Sequence, residues 1–325
     1  MSPLSSVYVN FLAVVGLHAA WVSWGRTRRR AMSTECAPAD STWPEDAAWR
    51  DELIVATRIH NKSASHMADP RDVEAFVHSA LEYATRVIVC IGYHDADATK
   101  NLSGLQAYVQ SLAAHLEGAL GARMGQVQLL PVCPWGAFTG ALNAATGAAA
   151  DVGYAYIAFQ SLEFRLPRAA ALRLLTLLRA DPDVLVAGPQ LAGHHFQPGI
   201  QVLRGRTCPW NTFAIWSVRH LAQLGFPMAG DALGSRWGGV EEVSAVALAQ
   251  HVRPALKALL VRAPSARWDT DFADAQRLAW HESKMGSKDA RPAAQMRWLA
   301  AGGGAAAGRG APRAGRAGRG RSVEV

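Results

Sequence analysis

The sequence has few charged residues and few cysteines for its length. Only 18% of its 325 residues are Asp, Glu, Lys or Arg, and half are hydrophobic, which excludes a wholly disordered chain. The four cysteines form no C-x-x-C pair, so a zinc ribbon, a thioredoxin-like redox site and a small disulfide-stapled fold are all disfavoured. We interpret these cysteines as small buried hydrophobic residues.

Three motifs of nucleotide- and ester-dependent enzymes are missing as well. No G-x-G-x-x-G follows the first predicted strand, which argues against a dinucleotide-binding domain. The sequence contains no G-x-x-x-x-G-K-[ST], so it does not encode a P-loop NTPase. It contains no G-x-S-x-G either, and an α/β-hydrolase nucleophile elbow is therefore not supported.

The net charge of +7 comes from the two ends of the chain. Segments 1–35 and 301–325 carry nine of the 33 basic residues and two of the 26 acidic residues, which leaves 24 of each sign in segment 36–300. Because the central segment is neutral, we expect no nucleic-acid partner for the folded part of the chain. The last segment is rich in Gly, Ala and Arg without apolar periodicity, and it is predicted to be a disordered tail.

Near the amino terminus, residues 7–25 contain no charge, and an arginine cluster follows them. Nineteen apolar and neutral residues are about the length of one membrane span. A single anchor with the following domain on the cytoplasmic side is one interpretation. A targeting peptide and an ordinary apolar segment are the alternatives, so the expected location is membrane-associated or else cytoplasmic. Segment 36–300 is then the single folded domain.

Apolar runs alternate with helical periodicity between residue 51 and about residue 250. Buried strands are predicted at 53–56, 87–91, 127–130, 154–159 and 184–187, and helices at 72–83, 102–120, 138–150 and 168–179. Continuous apolar strands separated by helices predict an α/β fold, a three-layer α/β/α domain with a mainly parallel central sheet. Because ligands bind at the carboxyl ends of such strands, polar residues that follow the strands are candidates for a site.

One stretch resembles a known family. Gly136 is followed by Gly140-Ala141-Leu142-Asn143, an Ala-rich helix and the strand at 154–159. Over roughly residues 51–250 this order resembles the GT-A fold glycosyltransferases, in particular the family 2-like group of nucleotide-diphospho-sugar transferases. In that family a similar strand ends in Asp-x-Asp, which holds a divalent ion on the diphosphate of a sugar nucleotide.

This sequence departs from the family at that motif. The matching positions are Ser161, Leu162 and Glu163, so the first acid is lost and the second is Glu. The resemblance implies that Glu163 is a metal ligand for Mn or Mg and that Ser161 reaches a metal-bound water. Weak or absent metal binding is the alternative.

A second match is an acidic pair, Glu241 and Glu242, after the glycines of Trp237-Gly238-Gly239-Val240. The resemblance implies that one of these acids is the general base that takes a proton from the acceptor hydroxyl, and the family pattern favours Glu242. A carboxylate at a helix amino terminus is also favoured by the helix dipole without any function. The helix that starts at this pair is predicted to continue to about Leu259. An earlier helix, capped by Asn211-Thr212, is predicted to end near Leu224.

The remaining candidates surround the nucleotide sugar in the resemblance. The first strand's Thr57 and Arg58, with Asp95, match positions that hold the base and ribose, and Asn143 belongs to the matched helix. Arginine or lysine side chains contact phosphate and a tryptophan stacks on a ring. The residues with these implied roles are Arg204, Arg206, Trp210, Lys284 and Lys288, and His281 is implied as a further metal ligand.

Together with the resemblance, these features predict a glycosyltransferase that moves a sugar from a nucleotide-sugar donor to a hydroxyl acceptor with inversion. The expected partners are the donor, a glycan, lipid or protein acceptor, and a membrane through residues 7–25. The alternative is a catalytically degenerate domain of the same fold that binds a nucleotide sugar, a glycan or a protein partner. The altered Ser161-Leu162-Glu163 favours this alternative, and the acidic pair argues against it.

Overall fold

The computed structural model describes residues 52–61, 67–93, 98–133, 135–234, 238–263, 265–268, 279, 282–283, 286–300 and 323–324. All of them belong to one compact unit. The apolar segment 7–25, most of the tail, and the candidates Asp95, His281 and Lys284 lie outside the described residues. No helix in the part of the chain that the structure describes is long and apolar enough to cross a membrane.

The described chain alternates strands and helices. The strands are β1 (Leu53–Asn61), β2 (Arg86–Tyr93), β3 (Val127–Pro131), β4 (Tyr156–Gln160), β5 (Phe164–Arg165), β6 (Val184–Pro189), β7 (Phe213–Ser217), β8 (Lys257–Val261), β9 (Arg267–Trp268) and β10 (Val323–Glu324). The α-helices are α1 (Pro70–Ala80), α2 (Ala98–Leu120), α3 (Thr139–Val152), α4 (Arg168–Ala180), α5 (Val218–Leu224), α6 (Glu241–Val252) and α7 (Ala290–Ala300). Short 3-10 helices occupy Gly121–Gln126 and Met228–Gly234.

Eight strands form one sheet in the order β10-β8-β6-β7-β4-β1-β2-β3. Neighbouring strands are parallel except β7, which runs antiparallel to both β4 and β6. After β1 the chain adds β2 and β3 on one side and then returns to place β4 on the other side of β1. The connections therefore change direction between β1 and β4, and such a switch point opens a crevice at the carboxyl ends of the two strands.

Alternate residues of the central strands pack into two separate cores. In β1, Leu53 and Val55 lie in the core on one face, while Ile54 and Ala56 lie in the core on the other. This is the two-residue period of a strand that is buried on both sides. Buried residues of α1 and α4 join the first core, and those of α3 and α6 join the second. The predicted three-layer α/β/α architecture with a mainly parallel sheet is confirmed.

Two predictions about the second half were wrong. The helix predicted to continue to about Leu259 ends at Val252, and residues 257–261 form β8. Pro254 explains this, because proline lacks the N–H and clashes with the preceding turn of a helix. The helix predicted to start at Asn211-Thr212 begins at Val218, because the fully buried run 213–217 forms the antiparallel strand β7.

Candidate functional site

The carboxyl end of β1 contributes Thr57 and Arg58 to the switch point. The β1–β4 pairing aligns Ala56 with Phe159, so Thr57 lies beside the end of β4. Thr57 is buried, and its hydroxyl has no hydrogen-bond partner among the described residues. The Arg58 side chain is 26% exposed and leaves the sheet toward α3 and α6, where its Nη1 donates to the carbonyl of Phe138 at 2.9 Å.

The acidic pair lies at the same edge of the sheet. Glu241 and Glu242 begin α6 and are 3% and 4% exposed. The guanidinium Nη1 of Arg58 lies 3.1 Å from Oε1 of Glu241. Contact with Arg58 therefore brings Glu241, which is distant in sequence, to the switch point between β1 and β4.

Asn211 holds the two carboxylates together. Its backbone N–H donates to Oε1 of Glu242 at 2.5 Å, and its side-chain Nδ2 donates to Oε1 of Glu241 at 3.5 Å. The indole Nε1 of Trp216 donates to Oδ1 of Asn211 at 3.0 Å, which fixes the orientation of the amide. Because β7 is antiparallel, Asn211 precedes it at the carboxyl edge of the neighbouring parallel strands.

Burial sets the proton affinity of Glu242. Loss of hydration raises the pKa of its carboxyl, the charge of Glu241 raises it further, and Lys288 and the Asn211 N–H act in the opposite direction. The other oxygen of Glu242, Oε2, is buried and has no hydrogen-bond partner in the described part of the chain. A carboxylate with raised proton affinity and an uncommitted oxygen has the properties of a general base.

The turn before α6 is strained. Gly239 has φ +84°, and Val240 has φ 60°, in the left-handed region that a β-branched residue rarely adopts. Such a conformation costs about 1–3 kcal/mol and persists only where neighbouring structure holds it. Here α7 holds it, because Arg291 Nη1 donates to the Gly238 carbonyl at 2.7 Å and Gln295 Nε2 donates to the Gly239 carbonyl at 2.8 Å.

Three cations therefore surround the two acids. Besides Arg58, Arg291 is buried, and its burial lowers the pKa of its guanidinium while Glu241 and Glu242 raise it. Lys288 is buried as well, with its Nζ 3.7 Å from the centre of the Trp210 ring. The sequence resemblance implies phosphate binding for Lys288 and no role for Arg291, because contacts between segment 286–300 and the start of α6 leave no local sequence pattern.

Asp231 is a further residue that sequence reasoning missed. Its carboxylate accepts from the backbone N–H groups of Phe138 and Thr139, at 2.6 and 2.7 Å, and from the Thr139 hydroxyl at 2.7 Å. Phe138 precedes α3 and provides no side-chain cap. Asp231 thus caps α3 from more than 90 residues away and fixes the Phe138 carbonyl that Arg58 contacts.

Trp210 lies inside the protein. Its side chain is 1% exposed, its ring stacks on His194 with centroids 3.7 Å apart, and Lys288 lies over it. Its Nε1 donates to the Gly205 carbonyl at 2.5 Å. The structure therefore does not present this ring to solvent, where a sugar or base would stack, and its observed contacts join the loop before β7 to the segment before α7.

Three other predicted residues have structural contacts. Asn143 exchanges hydrogen bonds with the backbone of Phe226, through Oδ1 at 2.7 Å and Nδ2 at 3.0 Å. Arg206 pairs with Asp289 at 3.7 Å and donates to the Gly193 carbonyl at 3.2 Å. Arg204 and Arg206 both line a cavity of about 250 Å³ that is formed by the loop after β6. The acidic pair does not line this cavity.

The residues described so far do not make a complete metal site. Ser161 follows β4 and directs its hydroxyl to the Thr212 carbonyl at 3.3 Å, and Glu163 is half-buried two residues later. Within the described ranges there is no group of three or more His, Cys, Asp or Glu side chains that could hold an ion. A hard divalent cation takes six or more oxygen ligands, several of which are commonly waters, and Glu163 alone does not supply the protein's share.

The raised pKa of Glu242 predicts a pH-dependent stability. A carboxyl that binds its proton more tightly when folded stabilises the protein below its ordinary pKa of 4.5, and this contribution is lost as the pH rises through the folded value. We expect wild type to lose free energy of unfolding relative to Glu242→Gln as the pH rises above 4.5 toward and through the raised pKa of the folded protein. Urea unfolding across this range measures the difference, and a difference that does not vary with pH would contradict the raised pKa.

Comparison with known proteins gives similarity in fold only. No protein-family profile matches the sequence, and no curated protein matches it. The mannosyltransferase of Pyrobaculum calidifontis, solved with GDP-Man and Mn2+, is 12% identical, and the alignment covers 92% of this chain and 86% of that one with a TM-score of 0.41.

Two further solved structures are similar in the same way. Glucosyl-3-phosphoglycerate synthase of Mycobacterium tuberculosis, solved with Mg2+ and UDP, is 13% identical over 77% of this chain and 79% of its own, with a TM-score of 0.43. A 4-diphosphocytidyl-2C-methyl-D-erythritol synthase is 14% identical over 70% of this chain and 98% of its own, with a TM-score of 0.36. The three-layer α/β/α architecture with a mainly parallel sheet, which the sequence predicted, is the one that this chain has.

Proposed function

We propose that this chain is a glycosyltransferase that moves a sugar from a nucleotide-sugar donor to a hydroxyl acceptor with inversion at the anomeric carbon. The observation that carries the proposal is the buried pair Glu241 and Glu242, held at the carboxyl edge of the sheet by Arg58 and Asn211. The resemblance of the Gly136–Phe159 stretch to the GT-A family supplies the reaction class.

The proposed chemistry is a single displacement. The acceptor oxygen forms a bond to the anomeric carbon as the bond from that carbon to the diphosphate oxygen breaks. Glu242 takes the proton of the acceptor hydroxyl, and the departing diphosphate takes the bonding electron pair. Burial and the charge of Glu241 raise the pKa of Glu242, which makes its carboxylate a stronger proton acceptor.

Glu241 has a positioning role in this proposal. Its Oε1 contacts Arg58 and accepts from the Asn211 amide, and it thereby holds the switch-point arginine against α6. Its negative charge also raises the proton affinity of Glu242. Positive charge for the developing diphosphate is assigned to Arg204 and Arg206, which line the cavity after β6 on the same edge of the sheet.

The alternative function is a degenerate domain that binds a nucleotide sugar, a glycan or a protein without transferring a sugar. The observation that favours it is the sequence Ser161-Leu162-Glu163, which provides one carboxylate where the family has two. Sugar transfer and sugar-nucleotide hydrolysis distinguish the two functions, because a binding domain has neither.

The test is a thermal-shift titration of the whole chain with UDP- and GDP-sugars, with and without Mn2+, followed by a transfer assay. A ligand that binds the native state raises the melting temperature by mass action. We expect one nucleotide sugar to do so, and we expect the product anomer, assigned by NMR, to be inverted. Retention of configuration, or no response to any nucleotide sugar, would reject the proposal.

A matched pair of variants tests the metal separately. If Glu163 ligates a metal, Glu163→Ala removes the Mn2+-dependent part of the shift, whereas Glu117→Ala, which removes an exposed carboxylate from α2, leaves it unchanged. A Mn2+-independent shift that is equal in all three proteins would identify a metal-independent donor site.

A further inference from the structure

A second cavity opens at the carboxyl ends of β6 and β8. Its volume is about 610 Å³, and the residues that line it come from the chain after β6, the chain after β8, and α4. The N–H of Gln190 donates to the Val261 carbonyl at 2.7 Å, which ties the two strand ends together at the cavity. We call it the arginine cavity, because Arg173 of α4 and Arg262 are its charged lining residues.

The charge of the arginine cavity has one sign. None of the residues that line it is acidic, and within the described ranges neither Arg173 nor Arg262 has an ion-pair partner. The guanidinium of Arg262 lies 4.8 Å from the centre of the Phe196 ring, a contact that orients a planar cation. Two guanidinium groups on one cavity provide the paired donors that bind phosphate and carboxylate oxygens.

A neutral histidine, His194, forms part of the cavity wall. His194 accepts from the Leu191 N–H through Nδ1 at 2.9 Å, and its Nε2 lies 3.0 Å from the Cys208 carbonyl, to which it donates. Both ring nitrogens are thus engaged inside the protein, and burial lowers the pKa of His194 to about 3. The positive charge of the cavity at neutral pH therefore comes from the arginines alone.

The same histidine connects the cavity with the acidic pair. Its ring stacks on Trp210, and the next residue, Asn211, donates its N–H to Glu242. Lys288, which lowers the pKa of Glu242, lies over the same Trp210 ring. His194 in the cavity wall thus contacts Trp210, and Trp210 directly precedes Asn211, whose N–H binds the proposed base Glu242.

We propose that the arginine cavity binds a phosphate or carboxylate group of the acceptor substrate, through Arg173 and Arg262. The inference rests on the proposed function, because that function identifies the bound molecule as the acceptor. It narrows the possible acceptors to molecules that carry an anionic group. The donor diphosphate is the other source of such a group, and the test separates the two.

The experiment is isothermal titration calorimetry on the whole chain with methyl phosphate, with malonate and with neutral glycerol. We expect saturable binding of at least one anion and none of glycerol. The double variant Arg173→Gln/Arg262→Gln should bind that anion about 100-fold more weakly, since each of the two lost charge-assisted contacts is worth about tenfold. Arg179→Gln, which removes one positive charge from the exposed end of α4, should leave the affinity unchanged.

A second variant tests the cavity by repulsion. Ala263→Glu places a negative charge in the lining and should also abolish anion binding. If wild type binds neither anion, or if both cavity variants bind as wild type does, the proposal is wrong. If a saturating nucleotide sugar displaces the anion, the cavity holds the donor diphosphate, and the acceptor assignment is overturned.

The outcome is independent of the donor experiment. Suppose that the chain binds an anion through the two arginines but binds no nucleotide sugar. The transferase proposal and the acceptor assignment are then both rejected, and the cavity is an anion-binding site only. Nucleotide-sugar binding without anion binding keeps the transferase and rejects the arginine cavity as a ligand site.

Discussion

Replacing Glu242 with Gln should lower the rate of sugar transfer by about 10²–10⁴-fold, the usual contribution of a general base. The amide has the size of the carboxyl and can still accept the Asn211 N–H, so the geometry at the start of α6 is kept. What is lost is the ability to take a proton from the acceptor hydroxyl. Initial-rate kinetics with a saturating donor measure the fall, and calorimetry should show unchanged donor affinity.

Two further variants make this result interpretable. Glu117→Gln changes an exposed carboxylate on α2 and should have no effect on either measurement. Glu241→Gln breaks the ion pair with Arg58 and should lower the free energy of unfolding, because the positive charge at the switch point loses its buried partner. If Glu241→Gln abolishes transfer while Glu242→Gln retains the wild-type rate, the base is Glu241, and the assignment made here is wrong.

The strands of the central sheet before residue 190 could be predicted because each is a short, continuous apolar run between helical periods, whereas the two-residue strand β5 of the small second sheet was not predicted. The predicted strand at 87–91 lies within β2, and the strand at 184–187 lies within β6. After residue 190 the same reasoning failed at 213–217, where an apolar run of five residues fits a buried strand or a buried helix equally well. Antiparallel pairing with β4 and β6 makes this run a strand, and no local sequence pattern encodes that pairing.

The acidic pair could be identified from its sequence motif, but its environment could not. Asn211 and Arg58 contact it from about 30 and 180 residues away, and spacing along the chain gives no distance in space. The role of Trp210 was beyond prediction for a related reason. Tryptophan suits a buried core and a stacking platform alike, and only the three-dimensional structure shows that this ring is buried and in contact with His194 and Lys288.

Contacts with segment 286–300 stabilise the strained turn before α6, which positions Glu241 and Glu242. Its polar side chains bind the carbonyls of Gly238 and Gly239, and its backbone passes directly against Gly205. The loop before β7 and the turn before α6 are thus both held by one segment near the carboxyl terminus. A change at Gly205 should therefore affect α6, although the two are far apart in sequence.

Gly205→Ala should be among the most destabilising single-methyl additions in the described chain. The added Cβ would lie 1.8 Å from the Lys288 carbonyl oxygen, a backbone atom that cannot move without the whole segment. We expect a loss of about 1–3 kcal/mol or more in the free energy of unfolding, measured by urea denaturation, as for other overpacked sites. The contacts of Lys288 with Trp210 and of Asp289 with the Arg206 N–H should be lost together.

The matched control for this variant is Gly147→Ala, an exposed position inside α3 where an added methyl meets nothing within 4 Å. It should stabilise the chain by about 0.5–1 kcal/mol, because alanine favours the helix more than glycine does. Equal stabilities of the two variants would show that the segment yields to the methyl group. If Gly205→Ala also loses transfer activity under conditions where it is fully folded, the segment positions the acidic pair, because Gly205 itself touches neither carboxylate.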